Sequence, residues 1–352
     1  MTISSADFDY IRRLAQSVAG FVLEDGKEYL VETRLGPIAK AEGCAHVTEL
    51  ISRVRWQNAS NLVDRIVEAL TTNETLFFRD SRPFDHLKRD VFPELFAQHP
   101  GQPVKVWSAA CSTGQEPYSL AMLLVEHFPL QASLVAILAT DLSVEVLERG
   151  RQGRFVESEM QRGLSEEQRR RFFERVGNEY QLQSRIREMV EFRQLNLATT
   201  FQNVPLFDVI LLRNVLIYFD LAGKRSVLDR VKGVLKPGGF LLLGSSETLL
   251  GIDDDFVSLR DSGTTSYRYG DSVAVPVPAP IPLARSSTHL RAASPTVPSI
   301  VPSIVPRTTT PPSATLPPKR TTQSLPPQVA KLKDLQWPDW TAPSDDKGTK
   351  KP

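Results

Sequence analysis

Apolar residues recur every three or four positions through residues 1–75. Phe8, Ile11, Leu14, Val18 and Phe21 form one such series, and Val47, Leu50, Ile51 and Val54 another. Leu62, Val63, Ile66, Val67 and Leu70 form a third. This spacing puts each set on one face of a helix. A further helix is predicted from Lys27 to Leu35. It should stop or kink at Gly36-Pro37, because proline has no amide hydrogen for a helix interior. Residues 1–75 are therefore expected to form a small all-helical domain.

The pattern then changes to short buried runs separated by helical stretches. Val104-Lys105-Val106-Trp107 reads as a strand, followed by a small-residue loop and a helix through Phe128. Leu134–Thr140 reads as a buried strand ending at Asp141, with Ser143 placed to cap the next helix. Phe207–Leu212 is another buried strand. Asp220 is placed to cap a helix to Leu235, which Lys236-Pro237-Gly238-Gly239 should end before a strand at Phe240–Leu243. Strands alternating with helices predict a parallel, doubly wound sheet with helices on both faces. This α/β domain is expected to span 76–270. Residues 154–195 interrupt it with a Ser165-Glu166-Glu167-Gln168 capping box and strand-like Tyr180–Gln183 and Val190–Phe192. They predict an inserted small antiparallel subdomain.

Composition separates the tail. Residues 271–352 hold 17 of the 26 prolines, no glutamate, and ten Lys/Arg against five Asp. Such a stretch buries too little apolar surface to offset the entropy of ordering it, so disorder is predicted. The whole chain carries a formal charge of only +1, without the basic footprint of a nucleic-acid binder. Its two cysteines, Cys44 and Cys111, fit no metal spacing and suit a reducing compartment. No secretory signal begins the sequence, and no apolar run approaches the ~18 residues that cross a bilayer. A cytoplasmic monomer without membrane insertion is expected.

Ligands of open parallel sheets bind beyond the carboxyl ends of the strands. The loop Ser108–Gly114 is rich in small residues but lacks Gly-x-Gly-x-x-Gly and Gly-Lys-Ser/Thr. A ligand without phosphate is therefore favoured. Asp141, at a strand end, can accept both ribose hydroxyls of a nucleoside or merely cap the next helix. Glu116 can accept from a ligand amino group or ribose, or simply favour the helix dipole. The histidines at 46, 86, 99, 127 and 289 are scattered, and no metal cluster or catalytic triad is visible.

Four blocks carry a resemblance. They are Asn73-Glu74-Thr75-Leu76-Phe77-Phe78-Arg79, then Val106–Ser119, then Ala139-Thr140-Asp141, and Leu212-Arg213-Asn214-Val215-Leu216-Ile217-Tyr218-Phe219. Together they resemble the chemotaxis receptor methyltransferase family, CheR, over residues 5–270. The resemblance implies S-adenosylmethionine as cofactor, no metal, and glutamates on cytoplasmic receptor domains as acceptors. It implies that Asn73, Thr75, Arg79, Glu116, Asp141, Asn196, Leu197, Arg213 and Asn214 line the cofactor site. Arg79 and Tyr218 would then lie nearest the transferring methyl. It also implies that the insertion is the family's β-subdomain. Phe77 and Phe78 are read as core. The sequence departs from the family at the second helix, often arginine-rich, where Gly36-Pro37-Ile38-Ala39 occupies the middle between Lys27, Arg34 and Lys40.

Two other readings stay open. One is methylation of an amine or a nucleic acid, although Leu212-Arg213-Asn214-Val215 is unlike the Asn-Pro-Pro-Tyr common in DNA amino methyltransferases. The other is a non-catalytic adaptor whose Trp337-Pro338-Asp339-Trp340 segment docks a protein partner.

Overall fold

The computed structural model describes residues 3–56, 60–259 and 263–270. The expected disordered tail, with its Trp337–Trp340 segment, lies outside them.

Four helices open the chain: α1 (Ser5–Ala19), α2 (Glu28–Ala41), α3 (Val47–Trp56) and α4 (Ser60–Ala69). Their apolar stripes meet in one core around Ile11, Val31, Leu35, Leu50, Ile51 and Ile66. Gly20 ends α1 in the left-handed conformation that glycine adopts without cost. Helix α2 does not stop at Gly36-Pro37 but runs through Pro37. Leu35 and Ala39 lie on one buried stripe on either side of the proline, and this burial outweighs the lost backbone bond.

Helices α5 (Arg82–His86) and α6 (Phe92–Gln98), joined by a π-helical turn, lead into the sheet. The elements that follow are β1 (Val104–Ala109), α7 (Gln115–His127), β2 (Val135–Asp141), α8 (Val144–Gln152), β3 (Arg154–Val156), α9 (Glu157–Met160) and α10 (Glu166–Phe172). Next come β4 (Phe173–Val176), β5 (Glu179–Leu182), α11 (Ser184–Arg187), β6 (Val190–Gln194), β7 (Phe207–Leu212) and α12 (Leu221–Lys232). The series ends with β8 (Leu235–Leu243), β9 (Phe256–Ser258) and β10 (Ser266–Tyr269).

The main sheet has seven strands in the order β6-β2-β1-β7-β8-β10-β9. The first five are parallel, while β10 runs antiparallel to both β8 and β9. Alternate residues serve opposite faces, as the strand period of two requires. Val106, Ile137, Val209 and Leu242 join the core under α7, whereas Trp107, Leu138, Ile210 and Leu241 join the core under α12.

Four expectations need correction. The sheet is mixed, because β9 and β10 are too short to be read from periodicity. Val190–Phe192 lies in β6 and pairs parallel with β2, so it is not part of the small sheet. That sheet has only three strands, in the order β3-β5-β4. Helix α12 ends at Lys232, and Lys236-Pro237-Gly238-Gly239 forms the bulged start of β8, where the register jumps between Phe207 and Val209. A half-buried ion pair holds this bulge, with Lys236 Nζ 2.7 Å from the buried Asp208 Oδ1. Ser143 stands at the cap position of α8, but its side chain makes no capping bond. Instead the Val144 amide donates to Glu68 Oε2 of α4 (3.2 Å), and the Ser143 amide donates to Asp141 Oδ1 (3.0 Å). Asp220 and the Ser165–Gln168 box cap as the residues suggest. Among the described residues no helix is long and apolar enough to cross a membrane.

The inserted subdomain joins the main core through Phe77. Its ring meets Phe155 edge-on with centroids 4.9 Å apart and Phe173 with centroids 5.6 Å apart. Gly163 seals this contact from the loop before α10. It has φ +87°, and a Cβ there would fall 1.7 Å from the Phe77 carbonyl oxygen. Gly163→Ala is therefore expected to lower the unfolding free energy by about 1–3 kcal/mol. Urea denaturation measures this, and an unchanged midpoint would show that the loop yields freely.

Candidate active site

The carboxyl ends of β1, β2 and β7 lie side by side, with Ala109 paired to both Thr140 and Leu212. Chain order reverses here, since β1 leads outward to β2 while β7 lies on its other flank. This is the switch point where open α/β sheets bind ligands. A cavity of about 540 Å³ opens over these ends, within the range of roughly 300–1,000 Å³ typical of small-molecule sites. The helical domain supplies part of its wall, including Val22, Lys27, Tyr29 and Arg34. All ten residues singled out from the sequence line it.

The loop after β1 turns sharply. Ala110 and Ser112 are left-handed, at φ +57° and +51°, followed by Gly114 at +92°. Non-glycine residues pay roughly 1–2 kcal/mol for this conformation. Hydrogen bonds hold it in place. The Cys111 amide donates to Thr140 O (2.9 Å), and the Ser112 amide donates to Asp141 Oδ2 (2.8 Å). A Cβ at Gly114 would meet the Phe192 ring at 3.0 Å, so the loop lies close against the sheet.

Asp141 has both oxygens anchored by backbone amides, from Ser112 and Ser143. Burial pushes its carboxyl up from the usual range, and these amides oppose the shift. The carboxylate thus ties down the helix entrance and also lines the cavity.

Glu116 and Arg213 satisfy one another. Ser108 Oγ donates to Glu116 Oε1 (2.7 Å), and Arg213 Nη1 donates to Glu116 Oε2 (2.8 Å). Arg213 Nη2 also donates to Arg79 O (2.7 Å) and Asp80 Oδ2 (3.0 Å). With its side chain only 1% exposed, Arg213 acts first as a clamp between three wall segments. Asn214 follows at φ +58°.

The segment 73–79 crosses above α7. Ser112 Oγ donates to Asn73 O (2.8 Å), the Phe78 amide donates to Ser119 Oγ (2.9 Å), and Thr75 lines the cavity. Phe77 is fully buried. Among the described residues the Arg79 side chain donates to the Glu74 carbonyl alone (3.1 Å).

Asn196 is occupied on both sides. Its Nδ2 donates to Val18 O of α1 (2.7 Å), while its Oδ1 accepts from the Ala198 amide (2.9 Å). It therefore pins the helical domain to the rim beside the buried Leu197. Tyr218 is half-buried between the two domains, and the Val22 amide donates to its carbonyl (2.8 Å).

The sequence reading took Arg34 only as a basic residue of the second helix, and it missed Glu247. Arg34 turns inward, donating to Leu70 O (2.5 Å) and Thr71 O (2.7 Å), and burial lowers its pKa. It is thus spent on the segment that follows α4. Glu247 gathers the amides of the segment after β7. Its only signal in the sequence was a carboxylate just beyond a buried strand's carboxyl end. Among the described residues no group of three or more His, Cys, Asp and Glu side chains converges as a metal site would.

The donor set fits S-adenosylmethionine. A loop closely approached by backbone and a buried carboxylate suit the ribose, and Leu142, Leu195 and Leu197 offer apolar surface for a flat ring. Residues 73–264 match the family model described as CheR methyltransferase, SAM binding domain, and residues 6–71 the one described as CheR methyltransferase, all-alpha domain. Chemotaxis protein methyltransferase 1 of Pseudomonas aeruginosa is 42% identical over 274 residues, covering 76% of this chain and 99% of the relative. Chemotaxis protein methyltransferase Cher2 of Pseudomonas putida is 38% identical over 273 residues, with the same coverage of 76% and 99%. A chemotaxis protein methyltransferase of Vibrio parahaemolyticus is 41% identical over 272 residues, covering 76% and 98%. Matched in both domains and in their order, this chain belongs to the CheR family of S-adenosylmethionine-dependent methyltransferases.

Proposed function

We propose that the enzyme esterifies glutamate side chains on the cytoplasmic domains of chemotaxis receptors. The names of its relatives support the pathway. One observation carries the acceptor. Arg79 and Tyr218 line the same cavity, and among the described residues neither polar end has a side-chain hydrogen-bond partner. A cation and a phenol left available at one mouth suit an incoming carboxylate.

The acceptor needs no base, because a glutamate with a reference pKa near ~4.3 is ionised at neutral pH. Bound S-adenosylmethionine supplies a methyl group on a positively charged sulfur. The chain's own residues then position and exclude water. Asp141 and the Ser112 loop hold the ribose end, Asn73, Thr75 and Asn214 line the cofactor's path, and the backbone at Asn196-Leu197 flanks the adenine. Glu116, already tied to Arg213, has remaining lone pairs for the methionine amino group. Arg79 orients the acceptor carboxylate, and the Tyr218 hydroxyl donates to one of its oxygens. The helical domain narrows the mouth, which favours a step in which opposite charges cancel. The enzyme acts in the cytoplasm as a monomer.

Incubation with labelled cofactor and receptor-bearing bacterial membranes should give label that mild base releases as methanol. Base-stable label would instead indicate N-methylation. Arg79→Ala should lower turnover roughly 10- to 150-fold, the weight of one charge-assisted bond. Full turnover would remove Arg79 from the scheme.

Asp141 makes cofactor affinity pH-dependent. Burial raises its folded-state pKa, so the free fold is favoured by protonation, and that stabilisation is lost as pH rises through the raised value. Ribose hydroxyls favour the ionised form. Affinity for S-adenosylhomocysteine should therefore fall as pH drops, starting above the ordinary aspartate value of ~3.9. In calorimetric titrations Asp141→Asn should bind more weakly and lose this acid limb. Parallel pH profiles for the two proteins would contradict the assignment.

A further inference from the structure

Glu247 lies just beyond β8, only 6% exposed and outside the cavity wall. Its Oε2 accepts from the amides of Asn214 and Gly244, each at 2.7 Å. Its Oε1 accepts from the amides of Val215 (3.0 Å) and Ile217 (3.3 Å). One carboxylate thus gathers four backbone donors. Three belong to residues that themselves line the cavity.

The fit is tight. A Cβ on Gly244 would fall 2.5 Å from Asn214 Nδ2 and 2.8 Å from Glu247 Oε2. Asn214, held left-handed, turns the chain so that the amides of 214 and 215 point at the same carboxylate. The Tyr218 amide then closes the turn onto Val215 O (3.1 Å). Only an acceptor with two free oxygens satisfies this set. A carboxamide would aim an NH2 group at amide donors.

We propose that Glu247 is a positioning residue. Its carboxylate sets the cavity wall at 214–217 and so pre-forms the cofactor site without touching the cofactor. The inference concerns cofactor binding and holds whatever acceptor the enzyme uses.

The test is a double-mutant cycle on the full chain, read as S-adenosylhomocysteine affinity by calorimetry. Glu247→Gln should weaken binding about 10- to 100-fold, the scale of buried donors left unpaired. Asn214→Gly keeps the left-handed turn and removes the side chain. In that background the loss from Glu247→Gln should be smaller than in the wild type, because the Asn214 side chain that the carboxylate helps to place is gone. Wild-type affinity in Glu247→Gln, or losses that simply multiply, would overturn the proposal. If Glu247→Gln does not fold, amide hydrogen exchange on the wild type decides. Slow exchange at Asn214, Val215 and Ile217 supports the proposal, and exchange as fast as an exposed loop refutes it.

Discussion

Arg213 carries a full charge where water hardly reaches, and the pocket is assembled around it. Taking a guanidinium out of water costs several kcal/mol unless its donors are met with good geometry. Glu116, Asp80 and the Arg79 carbonyl meet its two terminal nitrogens, while its Nε finds no partner among the described residues. The arginine and its acceptors come from three separate stretches: the segment ahead of the sheet, the first turn of α7, and the end of β7. The charge can be buried only when all three converge, so the clamp couples the fold of the rim to the shape of the cavity. Glu116 is thereby oriented before any ligand arrives.

Backbone strain collects at the same rim. Seven described non-glycine residues have positive φ, and six of them, Phe78, Asp80, Ser81, Ala110, Ser112 and Asn214, belong to the segments around the cavity. Each such residue costs free energy and persists only where the surroundings over-determine it. At Ser112 and Asn214 the Asp141 and Glu247 carboxylates do so by collecting amides that regular structure would otherwise pair. Buried carboxylates serve as substitutes for secondary structure, and this holds a binding loop rigid without a helix or strand.

The helical domain completes the cavity. Phe21 bridges to Phe219, Val22 donates to Tyr218, and Asn196 reaches Val18. Gly20, with a left-handed φ of +74°, permits the approach, since a Cβ there would fall 2.8 Å from the Phe219 ring. Tyr218 is therefore a residue of both domains. Its position depends on the closure that also restricts water.

The helices of the first domain, the buried strands and the rim residues were legible in the chain because each rests on a local signal. Apolar spacing marks helix faces, continuous apolar runs mark strands buried on both sides, and small residues after a strand mark a ligand loop. What was not legible depends on partners distant in sequence. Helix α2 survives Pro37 because its stripe is buried on both sides of the proline. The strand at Val190 belongs to the main sheet because β2 offers it an edge. Arg34 turns inward because the carbonyls of Leu70 and Thr71 lie there. Arg213 and Glu116 pair across 97 positions, and Glu247 reaches back to amides 30 to 33 residues away. The sequence alone determined most of the elements and which residues line the rim. Only the tertiary structure decided which charges meet, since burial and hydrogen-bond geometry are set by neighbours in space, and no periodicity along the chain encodes them.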